Sequence, residues 1–94
     1  VVNPEMSQRR ILVEWYGRDV VGASLADAVA RLGAAAAKAC GAPVRLLMAV
    51  AAPTDEVVYG VFSADSDDAV CEVCRSAGCP PDRVVDRVDT WAAG

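Results

Sequence analysis

Three cysteines stand within nine residues of sequence, Cys71, Cys74 and Cys79, spaced C-x2-C-x4-C. Thiolates are strong zinc ligands. Two of them three residues apart fall on one side of a helix. A closed structural site takes four ligands, and the chain has no histidine, so Cys40 or a carboxylate would have to supply the fourth. The competing reading is packing. Cys74 keeps helical step with Val70 and Ala77, and Cys79 lies between a helix stop and Pro80-Pro81. A buried free cysteine behaves as a small hydrophobe. Four cysteines behind no visible secretory leader favour reduced thiols over a disulfide framework. Cys71 has the position most open to oxidation. The second group with chemical potential is Glu14, inside the apolar and aromatic run RRILVEWY with Tyr16 beside it. A carboxylate among apolar neighbours needs a partner or a raised pKa. An arginine such as Arg45 or Arg87 would serve as that partner, and Tyr59 is a further polar group of the same neighbourhood.

Composition narrows the chemistry. The chain has 94 residues, nine Lys plus Arg, thirteen Asp plus Glu and a formal net charge of −4. This argues against a nucleic-acid partner, which needs a basic stripe. No apolar run reaches the roughly 18 residues of a membrane span, and a cytoplasmic location is expected. Without histidine the usual neutral-pH acid–base group is missing. Gly17-x4-Gly22 lacks the Lys-Ser/Thr of a phosphate loop. No cofactor is expected, beyond a metal at the cysteines.

The elements that must position these groups read in order. Residues 1–8 are a flexible lead-in, 9–90 one domain and 91–94 a short tail. Arg9–Tyr16 has strand composition. Ser24 is placed to cap a helix whose apolar positions run Leu25, Ala28, Val29, Leu32, Ala36, Ala39, and Gly41 and Pro43 stop it near Cys40. Val44–Ala52 and Glu56–Ala64 are two strands joined by the turn Pro53-Thr54-Asp55, an antiparallel hairpin. Ser66 or Asp65 caps a second helix with Val70, Val73, Cys74 and Ala77 on its apolar side, ended by Gly78 and Pro80-Pro81. Arg83–Thr90 is a more polar fourth strand at an edge.

The order β-α-β-β-α-β gives an α+β, ferredoxin-like arrangement, a four-stranded antiparallel sheet with two helices on one face. Reading the first and third strands as parallel would make the helices parallel too. Cys40 and Cys79 would then meet at one end of the sheet, in reach of a four-thiolate site or a disulfide.

Period-2 reading of the hairpin finds no polar face. Val44, Leu46, Met48 and Val50 alternate with Arg45, Leu47, Ala49 and Ala51, and Val57, Tyr59 and Val61 with Val58, Gly60 and Phe62. In the first strand Ile11, Val13 and Trp15 oppose Leu12, Glu14 and Tyr16. One chain would bare more apolar surface than a monomer normally shows. The expected partner is a second copy, sheet against sheet, a homodimer of the dimeric α+β barrel type, with Glu14, Tyr16 and Tyr59 as candidate ligand-binding residues.

Leu12-Val13-Glu14, Ala64, Ala77-Gly78, Pro80 and Arg83, set in an aromatic-rich strand, an acidic helix start and a valine-rich strand, resemble a small bacterial family, domain of unknown function 4242, some of whose members are described as nickel-binding. The resemblance spans about residues 9–88 and implies a ferredoxin-like fold and sheet-packed dimers. Relatives often carry a histidine where Val73 stands, a Ser-Tyr pair where Met48 and Ala49 stand, and a cysteine about where Gly60 stands. A histidine-based nickel site is therefore not carried over. Three functions follow as expectations: foremost a non-enzymatic dimeric binding protein for a metal or a small apolar ligand, then a cofactor-free enzyme of the dimeric α+β barrel type using Glu14 with Tyr16 or Tyr59, and a protein-interaction module.

Overall fold

The computed structural model describes residues 9–18, 24–39 and 43–91. The lead-in 1–8, Cys40 and the end of the tail lie outside the described residues, as does most of the Gly17–Gly22 loop. Strand β1 (Arg9–Tyr16) is followed by helix α1 (Leu25–Lys38), β2 (Arg45–Ala52), a 3-10 turn (Pro53–Asp55), β3 (Val57–Ala64), α2 (Asp67–Ser76) and β4 (Arg83–Val85). The strands form one antiparallel sheet in the order β2-β3-β1-β4. With both helices on one face, this is the α+β, ferredoxin-like layout. Among the described residues no helix is long and apolar enough to cross a membrane.

The caps expected from sequence are in place. Ser24 accepts from the Asp27 N–H and Ser66 from the Ala69 N–H, each meeting one of the helix's orphan donors. Helix α1 ends at Ala39, close to the expected Cys40. The hairpin turn closes through Glu56 at φ 55, a left-handed residue that lets β3 return beside β2.

The core lies between the helices and one face of the sheet. Ile11, Val13 and Trp15 from β1 meet Val58, Phe62 and Ala64 from β3, with Leu32 from α1 and Val70, Val73 and Cys74 from α2. Gly60 sits where β3 passes under the indole. A Cβ there would stand 3.0 Å from the Trp15 ring and 3.3 Å from Phe62, so the missing side chain is what lets both rings seat.

Three expectations are corrected. First, β1 and β3 pair antiparallel, Ile11 opposite Phe62 and Glu14 opposite Tyr59. Since β3 is antiparallel to both β1 and β2, it is β1 and β2 that run parallel. Each helix runs back against the strand before it, so the two helices are antiparallel. Second, β2 carries a bulge between Leu46 and Met48. A bulge shifts the alternation by one residue. Val44, Leu46, Ala49 and Ala51 therefore face the helices, while Met48 and Val50 share the open face with their partners Val61 and Tyr59. Third, β4 is three residues long rather than eight. Arg87 takes a left-handed φ of 73°, which breaks the extended run; the chain then returns to β1 through the Val88 N–H donating to the Arg10 carbonyl at 2.7 Å. The Arg9–Asp86 ion pair at 3.0 Å holds this corner.

Candidate functional site

Glu14 lies near the middle of the sheet on the face turned away from the helices. Its neighbours in the chain, Val13 and Trp15, point into the core, so pleating sends Glu14 the other way. It is nonetheless only 7 % exposed. Across β3 its register partner is the half-buried Tyr59, and across β4 it is Arg83. Both carboxylate oxygens are used. The Tyr16 hydroxyl donates to Oε1 at 3.0 Å and the Arg83 guanidinium to Oε2 at 2.9 Å. The partner is therefore Arg83, not Arg45 or Arg87 as expected. Arg45 stands opposite Ser63 on β2, separated from β1 by β3, and Arg87 lies beyond the end of β4.

Arg83 is the residue sequence reasoning missed. Two hydrogen bonds of Asp82 fix its register: the Asp82 N–H donates to the Glu14 carbonyl at 3.0 Å, and the Tyr16 N–H donates to the Asp82 side-chain Oδ2 at 2.8 Å. The usable signal was the Asp82-Arg83 pair just past the two prolines. An aspartate that can accept from the end of a neighbouring strand places the next residue opposite Glu14.

Around this network the open face is apolar and bare in one chain. Met48 is 57 % exposed, Val50 48 % and Tyr16 47 %. Partial desolvation against the sheet, then the hydrogen bond to Glu14 and its negative charge, raise the Tyr16 phenol above its ordinary value of 10.0. A raised folded-state pKa stabilises the protein fully below about pH 10, and the contribution fades as pH climbs through the raised value. Glu14→Gln is expected to move the Tyr16 titration back down toward 10, read from phenolate absorbance. An unmoved Tyr16 titration would contradict the contact.

The cysteines gather differently from the metal reading. The Cys79 N–H donates to the Cys74 carbonyl at 2.8 Å and the Gly78 N–H to the Arg75 carbonyl at 3.0 Å, with Gly78 at φ 78. This is a Schellman stop, in which the residue after the glycine packs back on the helix end. Cys74 is fully buried and Cys79 packs against the same core, so their spacing serves the helix ending. Burial, with the neighbouring thiols Cys71 and Cys79, pushes the Cys74 thiol up to about 12, and burial also raises the half-buried Cys71. Neither is set up as a thiolate at neutral pH. Among the described residues no three His, Cys, Asp or Glu side chains come together around one ion position. The antiparallel helices also remove the argument that brought Cys40 to Cys79, and Cys79 lines a cavity together with Leu25 and Val29 from the first half of α1.

No family model and no curated protein matches the chain. In structure it is similar to the protein in the crystal structure of SCO4226 from Streptomyces coelicolor A3(2), with 19 % identity and a TM-score of 0.61 over 88 % of this chain and 99 % of that one. At that identity the likeness establishes the shared fold.

Proposed function

We propose that this chain is a non-enzymatic binding domain of the bacterial cytoplasm that works as a homodimer, two sheets packed face to face. The enclosed space holds a small ligand against the Glu14–Tyr16–Arg83 network. The observation that carries the reading is the open face itself: Met48 and Val50, both about half exposed in one chain, beside a carboxylate buried under its own two donors. Adjacent apolar side chains left bare on a sheet mark an interaction surface. A two-fold axis covers such a patch with a copy of itself. The Tyr16 hydroxyl on one Glu14 oxygen and the Arg83 guanidinium on the other hold the carboxylate in one position, as suits a fixed binding group. This reading also keeps the chain beside the domain of unknown function 4242 family, without a histidine-based metal site.

Oxidation of Met48 by hydrogen peroxide, followed by mass spectrometry of the Met48 peptide, tests the proposal. A thioether exposed as in the single chain should form sulfoxide near the rate of free methionine. Covered by a second copy, it should react about tenfold more slowly at high protein concentration and speed up on dilution. A rate equal to that of free methionine at every concentration would remove the dimer.

A further inference from the structure

The helix side of the sheet carries a second feature, independent of the open face. Between the first half of α1, the sheet and the turn after α2 lies a cavity of about 570 Å³. That is within the range of small-molecule sites, roughly 300–1,000 Å³. Its cause is in the sequence. A helix and a sheet close-pack only where side chains fill the layer between them. Here the facing positions are Ala28 on α1 and Ala49 and Ala51 on β2, so the layer is held open by Leu25, Leu32 and Trp15 around them. The Trp15 indole N–H already donates to the Cys79 carbonyl at 2.8 Å, which leaves its ring as an apolar wall.

Among the described residues two charged ones line the cavity, Arg31 and Asp82. Asp82 is committed to the sheet, accepting from the Tyr16 N–H. Arg31 is exposed and belongs to no ion pair among the described residues. Its planar fork of donors suits a carboxylate or sulfonate. From a largely apolar chamber lined by an exposed arginine without an ion pair among the described residues, we infer that this cavity binds a small organic acid with an aromatic or branched body. The body lies against Trp15, Leu32 and Val58, and the acid group reaches Arg31.

The probe is anilinonaphthalene sulfonate, an aromatic anion of this shape. The chain has two tryptophans, at 15 and 91. The Trp91→Phe variant leaves Trp15 as sole indole donor, so energy transfer from it reports dye bound to the domain, and the variants that fill the cavity locate it. Saturable binding of one dye per chain is expected. Ala28→Leu fills the chamber and should weaken binding about tenfold; Arg31→Ala should weaken it several-fold, about half a decade in Kd or more. Ala51→Val adds bulk on the cavity floor from a strand position that favours β-branching, and it gives the same readout should Ala28→Leu fold poorly. Unchanged titrations for both filling variants would overturn the site. So would loss of the signal on Met48→Asp alone, because the dye would then sit on the open face. Monomeric protein that still binds dye through Trp15 would overturn the dimer and leave this site standing.

Discussion

Met48→Asp is expected to turn the proposed dimer into a folded monomer. Met48 is the most exposed large hydrophobic residue of the sheet's open face and is not part of the core cluster, so a single chain loses little when it becomes aspartate. In the dimer the two-fold axis places the change on both sides of one interface. Each carboxylate must then be desolvated among Val50, Tyr16 and their copies or keep its water and hold the sheets apart. Unpaired buried charges cost several kcal/mol. A loss of about 3 kcal/mol or more weakens association over a hundredfold. Sedimentation velocity with circular dichroism checks both halves of the statement: the mass should halve and the spectrum should stay.

Phe62→Ala acts on the other side of the sheet and should have the largest effect on stability. Phe62 is fully buried, with Ile11 opposite it on β1 and Leu46 on β2, and its ring also bounds the space above Gly60. Truncating a core phenylalanine costs about 3–5 kcal/mol, because the transfer energy of the ring is lost and the space it leaves collapses only in part. Domains of this size are stable by roughly 5–15 kcal/mol. The urea midpoint should therefore fall by about a fifth or more, with an unchanged slope. A midpoint within the error of wild type would mean that the core is not built around this ring.

Much of the fold was legible because local signals agreed with one another. Ser24 and Ser66 stood ahead of apolar helical stripes, and Gly78 with the two prolines closed the second helix. Pro53-Thr54-Asp55 separated two β-branched runs. Two features were hidden for a physical reason. The bulge at Leu46–Met48 lies in a run that is apolar on both sides, so no polar residue marks where the alternation slips. The pairing of Arg83 with Glu14 depends on the register of a three-residue strand, which backbone contacts from Asp82 and Val88 set. The direction of β1 against β3 was misread from topology. Inserting β3 between two parallel strands forces it antiparallel to both, and the helices follow. For the site, pleating alone put Glu14 and Tyr16 on one face of β1, whereas which arginine meets Glu14 was not readable.

The most direct test of the paired sheets is the native mass of the unmodified chain followed by sedimentation equilibrium from high to very low concentration. Paired sheets require twice the 9.8 kDa chain mass at the concentrated end, with a reversible approach to 9.8 kDa only on strong dilution. A mass of 9.8 kDa throughout, in protein that remains folded, would contradict the pairing.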